Sequence, residues 1–183
     1  MCLRLQKWIR EGRPISPVSV NFSRYTVLEE TFCQRLAELS DHYQISRDLL
    51  EIEITENALD VREGDLRKTI DAVRRSGFSV SIDDFGVEFS NLSLFSGADF
   101  DILKLDRSLI QDIAVNEKAQ ALIQAMSDVC LKMKIKLVAE GVETEEQLGI
   151  LNQCHVGIAQ GFLFSKPIPV ADYETKYLPL PRS

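Results

Sequence analysis

Residues 79–86 read SVSIDDFG, a short β-branched run that stops abruptly on Asp83 and Asp84 before a glycine. Such a run reads as a buried strand that delivers charge at its C-terminal end. Five further runs follow the same plan: SVNFS (19–23), LEIEITE (50–56), DILKLD (101–106), KLVAEGVE (136–143) and VGIAQGF (156–162). They carry Asn21, Glu53, Lys104, Glu140 and Gln160 at or near their C-terminal ends. The stretches between them mostly read as helices. In α/β barrels and open α/β sheets, the rim formed by the C-terminal strand ends is where the chemistry is built. The repeat therefore predicts an acidic, metal-type active site.

Composition bounds the class. The 183 residues are 45% hydrophobic, which fits one soluble globular domain. No apolar stretch approaches the ~20 residues that a membrane span needs, and no signal-peptide core opens the chain. A cytoplasmic location is the expectation. Cys2, Cys33, Cys130 and Cys154 show no CxxC spacing, so reduced, mostly buried thiols are expected rather than a disulfide framework. The net charge of -7 argues against a DNA or RNA polymer as partner, since non-specific binding needs a basic face. An acidic chain can still hold a phosphate ester when divalent ions supply the positive charge.

The helices are legible from periodicity and caps. A helix over 27–43 would place Leu28, Phe32, Leu36 and Leu39 on one face. One over 65–76 repeats Leu66, Ile70 and Val73 and ends at Gly77, a fitting left-handed cap. One over 117–134 carries Leu122, Met126, Val129 and Met133 after Asn116 as N-cap. Thr144 and Gln147 form a capping-box pattern that opens a helix over 145–154. Strands alternating with helices predict a parallel sheet with right-handed crossovers. A complete eight-unit barrel needs about 250 residues, so the fold expected is an incomplete TIM-type (β/α) barrel with about six of eight strands. Residues 1–12 read as the tail of a helix, and 177–183, with Pro179 and Pro181, as an extended exit segment.

Taken together and in this order, DDFG, KLD, AEGVE and QGFLFSKP resemble the EAL family of bacterial cyclic di-GMP phosphodiesterases, over about residues 1–176. The resemblance implies metal-dependent hydrolysis of cyclic di-GMP to linear pGpG, with two magnesium or manganese ions in the complete site. It implies that Asn21, Glu53 and Asp83 bind the first ion and that Asp83 with Asp84 brings in the second. Lys104 matches a lysine that contacts the attacking water or the phosphate, and Glu140 a carboxylate acting as ligand or general base. Glu143 and Gln160 match supporting positions at the rim, and Glu56 a glutamate that anchors the loop after the paired aspartates. The partners implied are cyclic di-GMP and, for assembly, a homodimer or other EAL, GGDEF or sensor domains.

The residues themselves leave alternatives open. Asn21 and Gln160 also suit strand-end caps, Asp83 and Asp84 suit turn caps, and Glu56 suits an exposed loop. Glu51, Glu53 and Thr55 share one face of an alternating strand, and alternation alone does not say whether that face meets water. His42 and His155 lie outside every motif, and Trp8 reads as helix packing.

Two departures from the family pattern stand out. The namesake Glu-Ala-Leu motif, its nearby phosphate-binding arginine and the first two strands would precede Met1, so turnover is expected to be weak or absent. A non-catalytic EAL module that binds a protein partner or, weakly, the dinucleotide is the alternative. After Asp84 the chain reads FGVEFSNL, with Val87 and Glu88 where the family favours small residues and glycine. If the backbone at Glu88 needs a positive φ, a non-glycine costs roughly 1 kcal/mol or more. Missing strands would leave sheet edges unpaired, to be covered by another chain or by rearranged N-terminal residues.

Overall fold

The structure is a computed structural model that describes residues 1–55, 63–86, 97 and 99–180, with the backbone alone at 24, 55 and 63–66. Glu56, Val87 and Glu88 lie outside the described residues. Six strands form one sheet in sequence order: β1 Val18–Phe22, β2 Leu50–Thr55, β3 Ser79–Phe85, β4 Ile102–Leu105, β5 Lys136–Ala139 and β6 Ile158–Ala159. Every neighbouring pair is parallel. The helices are α1 Cys2–Arg10, α2 Arg24–Val27, α3 Phe32–His42, α4 Glu63–Arg75, α5 Arg107–Gln111, α6 Glu117–Met133, α7 Glu145–Gln153 and α8 Val170–Tyr177.

Register and pleat sort the strand residues into two faces. One face carries Ile52, Ile54, Val80, Ile82, Leu103, Leu105, Leu137 and Ala139, all buried in the core with Ile70 and Val73 of α4 and Ile123 and Met126 of α6. Fully burying one such side chain is worth about 1.5–3 kcal/mol, so this layer dominates the fold's stability. The other face carries Ser19 and Asn21, then Glu51 and Glu53, Ser81 and Asp83, Ile102 and Lys104, Val138, and Ile158. Its centre is buried and its margins are open: Asn21 on β1 is exposed, and Ile158 on β6 is 45% exposed. Among the described residues β1 and β6 do not pair, so the sheet is an open arc.

Three helix expectations need correction. The expected helix over 27–43 is broken: α2 ends at Val27 and α3 begins at Phe32. Val27 and Phe32 are both buried, yet residues five apart in one helix point about 140° away from each other. The intervening turn lets both reach the core. Leu39, expected on the buried face, is 47% exposed, while Ser40 is buried with its Oγ donating to Ile45 O at 2.7 Å. In α6 the buried line is Ile123, Met126, Ser127 and Cys130, one position on from the expected Leu122, Val129 and Met133. Both stripes have helical spacing, and packing on β5 selects the second.

The caps fare better. Gly77 has φ 91 after α4, Asn116 accepts from Ala119 N, and the Thr144–Gln147 capping box is complete. The last strand is shorter than expected, two residues of the 156–162 run. The exit segment also differs, since Tyr177 closes α8 and Leu178 is buried. Helix α1 buries Leu5 and Trp8 and docks on α8: Trp8 Nε1 donates to Glu174 Oε1 at 2.8 Å, and Arg13 bonds Glu174 O at 3.2 Å. All four thiols are free, with Cys130 and Cys154 buried. Among the described residues no helix is long and apolar enough to cross a membrane.

Candidate active site

Four strands deliver charge to one point. Lys104, near the end of β4, points its ammonium into the polar face, where Nζ lies 2.8 Å from Glu53 Oε2, 2.8 Å from Glu140 Oε1 and 3.8 Å from Asp83 Oδ1. Glu53 is 4% exposed, Lys104 6% and Asp83 8%. The open question about the β2 alternation is thereby answered, because its polar face looks into a buried site rather than into water.

Local backbone geometry aims these groups. At the end of β3 the register shifts between Ile82 and Phe85, and Asp84 adopts φ 57. Aspartate tolerates this left-handed conformation better than most residues, at a cost of order 1–3 kcal/mol. The kink leaves Asp83 on the buried face and Asp84 half-buried beside it. Gly86 follows with φ 106, and a Cβ there would lie 2.5 Å from Leu109 Cδ1 of α5. On the far side, Gly161 packs so tightly that a Cβ would lie 2.1 Å from Val142 O. Val142 N donates to Gln160 O at 3.0 Å and Gln160 N to Ala139 O at 2.8 Å, which fixes the loop after Glu140.

The charges perturb one another. Burial pushes the Asp83 carboxyl up to about 6, aided by a hydrogen bond with Glu53 and opposed by the Lys104 ammonium. Burial also raises Glu140 against the pull of Lys104. Asp84 is raised by burial and by the charges of Asp83 and Asp106. For Lys104, burial alone favours the neutral amine, but Glu140 and Glu53 more than offset it and hold the ammonium charged.

Other expected site residues fall around this centre. Asn21 pairs in register with Glu53 but is exposed on the edge strand. Gln160 is exposed just past β6. Glu143 is exposed, and its backbone N–H is engaged by Gln147 Oε1 at the cap of α7. Glu53, Asp83, Lys104 and Glu140 are thus brought together, with Asp84 beside them, while Asn21, Glu143 and Gln160 stay at the rim outside the ion-paired set. Sequence reasoning passed over Ser81, whose fully buried Oγ lacks a partner among the described residues. Its only signal is its position two residues before Asp83. Sequence reasoning also missed the Arg74–Asp101 pair at 2.9 Å, which clamps α4 to the start of β4.

The donors suit a hard divalent cation, which takes carboxylate and amide oxygens. Asp83 Oδ1 is buried without a hydrogen bond, and Glu140 Oε1, though 2.8 Å from Nζ, is not aligned as an acceptor. Both oxygens are left without an aligned hydrogen-bond donor, so the residues fit such an ion. Among the described residues no three His, Cys, Asp or Glu groups already stand in ion-holding geometry, and the Lys104 ammonium lies within 4 Å of an oxygen of Glu53, Asp83 and Glu140.

Comparison with known proteins identifies the family and the fold. A family model described as EAL domain matches residues 1–167. The chain is 41% identical over 125 residues to the cyclic di-GMP phosphodiesterase NbdA of Pseudomonas aeruginosa, covering 68% of this chain and 16% of that protein. It superposes on the crystal structure of the EAL domain of Mycobacterium smegmatis DcpA with TM-score 0.88 and 31% identity, over 95% of this chain and 78% of the other. A manganese and cyclic di-GMP complex of Klebsiella pneumoniae BlrP1 matches with TM-score 0.80 and 30% identity, over 91% of this chain and 43% of that one. The chain thus spans well under two thirds of the curated relatives it matches, for example 31% of PdeG of Escherichia coli.

Proposed function

Since the chain belongs to the EAL domain family, we propose that it is a cyclic di-GMP signalling module whose inherited reaction is metal-dependent hydrolysis of cyclic di-GMP to linear pGpG. The observation that carries this reading is the convergence of Glu53, Asp83 and Glu140 on Lys104, with one oxygen of each carboxylate within 4 Å of one buried nitrogen. Asn21, Glu53, Asp83, Asp84 and Glu140 are the residues that would hold magnesium or manganese, two ions in the complete site. Bound divalent ions supply an activated water and charge stabilisation for displacement at phosphorus. Lys104 places a positive charge where the phosphate and the attacking water gather. Glu140, raised by burial, is suited to accept a proton there. Asp84, half-buried beside Asp83, would help bring in the second ion, Gln160 and Glu143 would take supporting positions, and Glu56 would take the family's loop-anchoring role.

In this reading residues 1–176 correspond to the family's barrel from its third strand onward, and 177–183 are a tail. The unpaired edges of β1 and β6 support that assignment. A second reading, a non-catalytic EAL module that binds a protein partner or the dinucleotide weakly, is favoured by the same open edges. The exposure of Asn21 favours it too.

Timed chromatography of nucleotide products with magnesium or manganese separates the two. Slow pGpG formation that a chelator stops supports the enzyme. Binding of cyclic di-GMP without product supports the module.

A further inference from the structure

We infer that Lys104 is a resident cation of this site: its ammonium occupies, in the metal-free protein, the charge position that a divalent ion takes up, so metal affinity is set by competition with it. The inference rests on the reading that Glu53, Asp83 and Glu140 bind the metal. Its support is geometric. Nζ is 2.8 Å from both Glu53 Oε2 and Glu140 Oε1 and 3.8 Å from Asp83 Oδ1. All three carboxylates and the lysine are largely withdrawn from water, with side-chain exposures of 5%, 12%, 20% and 8% for Glu53, Asp83, Glu140 and Lys104.

Three carboxylates packed together need a counter-charge to remain buried, and no arginine or second lysine joins them among the described ion pairs. Lys104 therefore holds the ion-free site together. A divalent ion drawing on the same oxygens meets a positive charge within a few ångströms in a poorly screened site, and one of the two must yield. The bond most exposed to this competition is Nζ to Glu53 Oε2, the one aligned hydrogen bond of the set. Glu140 Oε1 and Asp83 Oδ1 lack aligned donors, although both lie within 4 Å of Nζ.

The test uses the intact chain and no turnover. Manganese binding is measured by calorimetry for the natural chain and for Lys104→Met, together with their melting temperatures in chelator. The inference predicts manganese binding tighter by about tenfold or more in Lys104→Met, where removal of one close positive charge leaves the carboxylates unbalanced. It also predicts a lower melting temperature without metal and a larger rise on adding manganese. Equal or weaker manganese binding in a cooperatively folded Lys104→Met overturns it. Should that variant not fold, the natural chain decides: the 15N ammonium resonance of Lys104 should shift on magnesium titration with the midpoint that calorimetry gives. Magnesium binding that leaves this resonance unmoved overturns the inference. If neither protein binds manganese or magnesium, the metal-site reading itself fails and the inference with it. Equal affinity in the two proteins defeats the inference alone.

Discussion

Gly161→Ala should strongly destabilise the chain. A Cβ at Gly161 would meet Val142 O at 2.1 Å, Val142 N at 2.3 Å and Val142 C at 2.8 Å, all backbone. Reaching even a tight 3.0 Å contact requires a shift of about 1 Å between two packed main chains, which close packing resists. That shift breaks the Val142 N to Gln160 O bond and the Leu163 N to Val142 O bond, both 3.0 Å. Each is worth about 1 kcal/mol net, and up to about 3 kcal/mol if a buried group is left unpaired, so the expected loss is about 2–5 kcal/mol. Val142 is fully buried, which favours the upper part of that range. For a chain of this size the loss corresponds to a fall of about 5–15 °C in melting temperature. Urea melts and calorimetric scans of the two proteins measure it. Gly149→Ala is the control: it lies inside α7 with nothing within 4 Å of its Cβ, and it should raise stability by about 0.5–1 kcal/mol. A loss below about 1 kcal/mol at Gly161, against the expected gain at Gly149, would refute the claim that this backbone contact locks the loop beside Glu140.

Asp83 should impose a pH dependence on stability without metal. Its folded pKa of about 6 lies above the ordinary 3.8, so its contribution is fully present below pH ~4 and is lost as pH rises through about 6. Asp83→Asn should weaken this trend, to which the raised Asp84 and Glu140 also contribute, and parallel urea melts at pH 4.5 and 7 should show the natural chain losing ground to the variant as pH rises. Thr144→Ala, which opens the capping box of α7, should cost about 1 kcal/mol in the same melts. Ser81→Ala should change stability by less than about 1 kcal/mol, since its buried hydroxyl has no partner to lose; a large loss would mean that a bound water satisfies it.

Much of the site was legible because chemistry and strand period coincide. The runs ending at Glu53, Asp83, Lys104 and Glu140 each alternate or stop in a way that only a parallel sheet with a shared rim accommodates, and the structure puts those groups at one point. What sequence did not reveal was their relation to one another. The β2 pattern is equally consistent with a wet face, whereas in the fold Glu53 is buried against Lys104 of β4. Lys104 read as a contact for water or phosphate, whereas its first contacts are three carboxylates on or just past other strands, 21 to 51 residues away. The helix errors share one cause. Two apolar stripes overlap in α6, and local periodicity cannot choose between Leu122 and Ile123 without knowing where β5 lies. The break between α2 and α3 follows from a demand of the core, that Val27 and Phe32 both enter it, which no local signal announces.

The central claim is that Glu53, Asp83, Lys104 and Glu140 form a metal-dependent cyclic di-GMP site. Its most direct measurement is pGpG formation from cyclic di-GMP by the natural chain and by Glu53→Ala, followed by chromatography over long incubation with manganese and with a chelator. Product is expected with manganese, none with the chelator, and none from Glu53→Ala. Product that forms at the same rate after Glu53→Ala, or in the presence of the chelator, would contradict it.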